Sequence, residues 1–185
     1  ETDFVELPSQ LFEHWLTVPE VLKRFAVHYK TKSPISEKLM ERLIGASNYD
    51  MGYQTVEYTS SALVDLYFHL EDTEKDVMEL QNEILSKIGL PEAIKMRHAT
   101  PHFAHVFSGG YYAAAYYSYM WSEVMDADAF SAFKELDNPF DADLAKSLED
   151  NILSKGNSLD PEIAYKRFRG SLPKVDALLR GRGLI

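Results

Sequence analysis

Apolar residues recur along this chain at intervals of three and four, and period-two alternation is hard to find, so the pattern predicts helices rather than strands. Asp3-Phe4-Val5-Glu6 fits a capping box, with Asp3 as N-cap and Glu6 at N3. Thr17-Val18-Pro19-Glu20 fits a second, opening a helix through Val21, Leu22, Phe25 and His28. Ser33-Pro34-Ile35-Ser36 is a break, and Ser36 then starts a helix to about Ile44, with Gly45 near its end. From about Asp50 to Leu70, Tyr53, Val56, Leu63, Tyr67 and Leu70 keep helical spacing, which predicts that they form a buried face. Thr73 opens a further helix with Val77, Leu80, Ile84 and Ile88 on one side, closed by Gly89. Leu90 to Gly110 reads as irregular, punctuated by Pro91, Pro101, Gly109 and Gly110. A long helix is expected from near Tyr112 to about Leu136. Asp160-Pro161 is an N-cap followed by a first-position proline, and a short last helix runs from Pro173 to Arg180. No repeat, low-complexity tract or linker interrupts this, so the expectation is an all-α fold, with residues 1–185 as a single helical body.

Composition narrows the function classes. The 185 residues carry a formal net charge of −10, which disfavours nucleic acid as a partner, since polyanions repel an acidic chain. There is no cysteine, so disulfides, thiolate metal sites and a cysteine nucleophile are excluded. No apolar run reaches the length of a membrane-spanning helix, so no membrane partner is expected. The first residue is Glu1, as in a processed protein or an excised piece of a larger one. Cytoplasm and periplasm are equally compatible with these features.

Three groups of residues carry candidate chemistry. Glu6 is either a capping-box glutamate or a carboxylate offered to a metal, with Gln10 and Glu13 near its face. Pro8 is unexpected in the second turn of a helix, where its ring crowds the preceding turn. Among the histidines (14, 28, 69, 98, 102 and 105), the pair His102 and His105 has chelating spacing on a helix. Pro101 and the nearby glycines argue against a regular helix there, and no further ligand stands at sensible spacing. The third group is the most unusual, because five of the eleven tyrosines fall between residues 111 and 119. On a helix Tyr112, Tyr116 and Tyr119 share a face. They read either as an aromatic core stripe or as phenol donors lining a cleft, where they stabilise a developing oxyanion. The Gly109-Gly110 pair before them and the choice of Tyr over Phe favour the second.

Asp3-Phe-Val-Glu6-Leu-Pro-Ser-Gln10, with Glu13-His14-Trp15, resembles a block of the thimet-oligopeptidase family of zinc metallopeptidases. His105-Val-Phe-Ser-Gly109-Gly110 through Tyr116-Tyr-Ser-Tyr119-Met-Trp-Ser-Glu123 is similar to that family's glycine-rich loop and tyrosine helix. Gly156-Asn-Ser158, Phe168-Arg-Gly170, Pro173-Lys174 and Arg182-Gly-Leu184 continue the likeness to the end of the chain. Within the family the likeness is strongest to bacterial peptidyl-dipeptidases, which remove dipeptides from peptide C-termini.

The resemblance implies a C-terminal part of a zincin-like peptidase, lacking the His-Glu-x-x-His helix that supplies two zinc ligands and the general base. It implies that Glu6 is the third zinc ligand. It further implies that His105 helps bind the substrate or transition state, that Tyr119 donates to the tetrahedral oxyanion, and that Tyr116 is a further cleft tyrosine. Gly109 and Gly110 correspond to the loop that admits substrate. This chain has Tyr111-Tyr112 where the family has one loop tyrosine: counting from His105 favours Tyr111, and counting back from Tyr119 favours Tyr112. The expected parent is a zinc-dependent hydrolase of short peptides, whose missing N-terminal part is a partner of this one. These residues alone are expected to be inactive and to bind no zinc tightly. The alternative is a non-catalytic helical module that binds peptides or a protein partner.

Overall fold

The computed structural model describes residues 1–70 and 74–185. Among the described residues nine α-helices follow one another: α1 Leu7–Glu13, α2 Pro19–Phe25, α3 Glu37–Ala46, α4 Met51–Leu70, α5 Val77–Lys87, α6 Ser118–Glu135, α7 Ala142–Leu148, α8 Pro161–Arg169 and α9 Asp176–Gly181. No strand occurs among them; the one extended pairing is an isolated bridge between Val27 and Pro34. The expected all-α class therefore holds. The chain forms two compact units, one of Glu1 with residues 3–49 and 122–185, the other of Thr2 with residues 50–121.

The first unit is built on the residues around α1, α6 and α8. Leu7, Leu11, Val18, Met125, Ala129, Phe130, Phe133, Leu148, Ile152, Tyr165 and Phe168 form its buried core. The stretch after α1 serves this core. His14 stacks on Phe130 with ring centroids 4.7 Å apart, and Trp15 meets Phe130 and Phe133 edge-on at 4.9 and 5.0 Å. The Trp15 indole N–H donates to the Pro139 carbonyl at 2.8 Å, so the half-buried ring does not strand its polar edge. The second unit packs Val64, Leu80, Ile84, Leu85, Met96, Phe103 and Val106 into its own core.

Several helices begin where their caps predict. Ser36 accepts from the Leu39 N–H at 3.3 Å, and Asp160 from those of Glu162 and Ile163 at 2.9 and 3.2 Å. Asp76 caps α5 in the same way, while the start expected at Thr73 lies outside the described residues. Gly170 ends α8 in the left-handed region at φ 85°.

Other expectations are corrected. Asp3 is not an N-cap: α1 starts at Leu7, Glu6 occupies the cap position, and Pro8 falls in the first turn, where a missing N–H costs nothing. Thr17 likewise caps nothing, because α2 starts after Val18. It ends at Phe25, short of His28, as the chain turns into the Val27–Pro34 bridge. In α4 the apolar periodicity points the wrong way. Tyr53, Val56, Tyr67 and Leu70 are exposed, while Ser60, Ser61, Ala62, Val64 and Asp65 are buried. Small and hydrogen-bonded residues let other segments approach that side closely, and tertiary contact overrides the hydrophobic pattern. The long helix from Tyr112 is also shorter than expected. Residues 109–117 form successive tight turns, with Tyr112 N–H on the Gly109 carbonyl at 3.0 Å and Ala115 N–H on that of Tyr112 at 3.2 Å. Ala114 sits in the left-handed region at φ 56°, which no α-helix can traverse, so α6 begins at Ser118. α7 and the π-helical turn Glu149–Leu153 after it were not anticipated.

Candidate functional site

The glycine pair and the tyrosine run belong to the second unit. Gly109 holds φ 124°, a conformation that L side chains rarely adopt, and it starts the turns that carry the chain past His105. These turns, rather than a helix face, gather the aromatic side chains. The His105 ring lies 4.9 Å from that of Tyr112 and 5.7 Å from those of Tyr116 and Tyr119. His105 Nε2 and the Tyr119 hydroxyl are 3.0 Å apart, in hydrogen-bond contact. Tyr116 meets Tyr119 edge-on at 5.6 Å. Tyr111 packs against Tyr112 at 5.3 Å but is more exposed (59% against 38%), so Tyr112 is the one of the pair in contact with His105.

Tyr58, His98, His102, Phe103, Ala104, His105, Tyr116 and Tyr119 line a cleft of about 390 Å³. Its wall mixes aromatic faces with phenol and imidazole hydrogen-bonding groups, the blend of apolar surface and a few polar groups common in ligand sites. Burial holds the Tyr116 phenol above its ordinary range, and the nearby Arg97 charge works in the other direction. Tyr116 is therefore a neutral donor at any ordinary pH.

Glu6 belongs to the first unit. It is half-buried at the start of α1, and its Oε2 accepts from the Ser9 hydroxyl at 2.7 Å. This replaces the capping-box geometry and leaves the carboxylate on the first turn of the helix. Among the described residues no group of three or more His, Asp or Glu side chains is gathered to hold a metal. His102 and His105 line one cleft without a third ligand. A zinc ion takes three or four protein ligands, so the donors described here do not by themselves make a zinc site.

Two residues of this site were missed in the sequence. Tyr58 donates its hydroxyl to the Tyr116 carbonyl and stacks on the Tyr116 ring at 5.2 Å. Asp65 accepts from the backbone N–H groups of Ala114 and Tyr116 at 3.1 and 2.9 Å. With His69 they stand at helical spacings of seven and four on α4, a polar stripe on a helix read only for its apolar one.

Residues 1–184 match the family model described as Peptidase family M3. The dipeptidyl carboxypeptidase of Escherichia coli is 38% identical over 187 residues, covering 98% of this chain and 27% of that protein. Oligopeptidase A of the same organism is also 38% identical, over 188 residues with the same coverage. The probable cytosolic oligopeptidase A of Arabidopsis thaliana is 32% identical over 191 residues, covering all of this chain and 27% of that protein. The chain thus spans about a quarter of the length of these curated relatives.

Proposed function

This chain belongs to peptidase family M3, and from that premise we propose that it is the C-terminal part of a zinc-dependent hydrolase that releases dipeptides from the C-termini of short peptides. The single observation that carries the reading is the contact of His105 Nε2 with the Tyr119 hydroxyl on the wall of the aromatic cleft. With the proton on Nε2, His105 donates to the phenol oxygen, and the Tyr119 O–H is the donor presented to substrate. A phenol that accepts one hydrogen bond is a stronger donor of the next. Tyr119 then donates to the tetrahedral oxyanion, and Tyr112 and Tyr116 hold the peptide against the cleft. Gly109 and Gly110 form the loop that admits it.

In this reading Glu6 is one zinc ligand, and the remaining ligands and the general base lie outside these 185 residues. The zinc supplies Lewis-acid chemistry when bound. The span of the relatives supports a longer protein. So do apolar side chains such as Phe12 and Leu16, which are 53% and 64% exposed here and which a larger body would cover. Recognition of a C-terminal carboxylate needs a cation, and Arg97, whose charge acts on the Tyr116 phenol, is one candidate among many.

The test takes the protein at its native length. About one zinc per chain, with cleavage of a short peptide that is lost when its C-terminus is amidated, is the expected result. Cleavage indifferent to amidation would favour internal hydrolysis, as the equal identity to an oligopeptidase allows. Absence of both zinc and hydrolysis would refute the reading and leave a non-catalytic peptide-binding module. The 185 residues alone are expected to be inactive.

A further inference from the structure

We propose that Asp65, backed by His69, is the positioning residue of the tyrosine cluster: its carboxylate sets the backbone of residues 114–116 and thereby aims Tyr116 and Tyr119 across the cleft. The catalytic consequence rests on the reading above; the positioning itself does not.

The turns between Gly109 and Ser118 have no helical ladder, so the N–H groups that their own turn bonds leave unmet need acceptors from elsewhere. One carboxylate supplies two of them, Oδ1 to Ala114 and Oδ2 to Tyr116. Both oxygens reach their donors while Ala114 holds φ 56°, a left-handed conformation unfavourable for alanine. Such a conformation persists only where its surroundings over-determine it, and the Asp65 bonds do so here. Asp65 is 2% exposed, and a buried carboxylate is tolerated only when it is paired and hydrogen-bonded. His69 Nδ1 completes the set, 2.9 Å from Asp65 Oδ1. The same nitrogen is 3.3 Å from the Ala114 N–H. The Asp65 backbone carbonyl, 2.8 Å from the same nitrogen, and the carboxylate beside it both favour a proton on Nδ1, which makes His69 a donor and leaves the Ala114 N–H to Asp65. Two turns earlier on α4, Tyr58 donates to the Tyr116 carbonyl and accepts from the Met120 N–H at 3.3 Å. One face of α4 thus grips the segment from Ala114 to Met120, which includes Tyr116 and Tyr119.

The experiment uses the native-length protein with Asp65→Asn, which keeps the shape but turns one acceptor into a donor facing an N–H. With 3-fluorotyrosine incorporated, and signals assigned by single Tyr→Phe changes, the fluorine resonances of Tyr116 and Tyr119 are expected to shift or broaden. That of Tyr165, in the other unit, is expected to stay. This readout does not depend on peptidase activity, and unchanged Tyr116 and Tyr119 resonances would overturn the proposal. In the zinc-loaded protein, kcat is expected to fall roughly 10–100-fold with little change in KM, as a misplaced group costs. In a Tyr119→Phe background the same change is expected to cost almost nothing more, because Asp65 acts through Tyr119. An equal loss in both backgrounds would mean a merely structural role and would also overturn the proposal. If Asp65→Asn does not fold, His69→Gln is read by the same two measurements, with smaller effects of the same kind expected and the same overturning results. A kcat unaffected by Tyr119→Phe, with the resonances of the Asp65 variant moved, would sink the oxyanion role of Tyr119 in the reading above while leaving the positioning role supported.

Discussion

Replacing Tyr165 by Phe tests how the core of the first unit is held. Tyr165 is 1% exposed, so its ring contributes packing that Phe preserves almost completely. What is lost is the hydroxyl, 2.8 Å from Asp128 Oδ2 and 2.9 Å from the Met125 carbonyl. Burial and the adjacent Asp128 carboxylate push the phenol far above its ordinary range, against the opposing charge of Arg169, so it remains a donor throughout the stable pH range. A hydrogen bond to a charged partner contributes about 1.5–3 kcal/mol. Asp128 keeps a second partner, Arg169 Nε at 3.3 Å, which limits the penalty for the acceptor left behind. The expected loss is therefore about 2 kcal/mol, or about 4–8 °C in Tm for a chain of this size. Guanidinium unfolding would be followed by tryptophan fluorescence, since Trp15 reports on this core through Phe130 and Phe133. The midpoint should fall without a change in m. In an Asp128→Asn background the cost should drop to about 1 kcal/mol, the value for a neutral pair. A loss below about 0.5 kcal/mol, or the same loss in both backgrounds, would refute the charge-assisted bond as the source of the stability.

Ala114→Gly should stabilise the second unit. Relief of the left-handed alanine is worth about 1–2 kcal/mol, and glycine's extra unfolded freedom takes back about 0.4–1, so a net gain of about 0.5–1 kcal/mol is expected. A fall in Tm would contradict that backbone conformation. Burial raises the Asp126 carboxyl above its ordinary value of 3.8, although the His14 hydrogen bond, at 2.6 Å, pulls the other way. The folded state then holds a proton that the unfolded state has released. Stability should fall as pH rises from 3.8 through the folded pKa, and Asp126→Asn should flatten that slope. Denaturation midpoints measured across that range would show it, and an unchanged slope in the variant would sink the assignment. In the native-length protein, Tyr119→Phe should cost roughly 10²–10³ in kcat with little change in KM. An effect on KM alone would reduce Tyr119 to a substrate contact.

What could be read from the sequence was local. The caps at Ser36 and Asp160 are hydrogen bonds to N–H groups two or three residues ahead, so a short window contains the whole interaction. The same local signal stands before α7, where Asp141 accepts from the Leu144 N–H at 2.8 Å. The Asp3 capping box failed for an equally local reason: Pro8 is better placed in a first turn, and its presence marked Leu7 as the true start. The residues His105, Tyr112, Tyr116 and Tyr119 were also visible as an unusual run, although the assumed helix was the wrong way to bring them together.

The sequence by itself determined the helical class, several helix ends, and the cluster of phenols beside a glycine pair. Each of these follows from backbone propensity or from groups a few positions apart. Only the tertiary structure decided which side of α4 is buried and where α6 begins. Both depend on Asp65, which takes N–H groups 49 and 51 residues further along the chain. A buried carboxylate that satisfies distant backbone donors outweighs a row of apolar side chains, because an unmet N–H costs more than an exposed tyrosine or valine. No local pattern records that partnership, and the fold alone makes it.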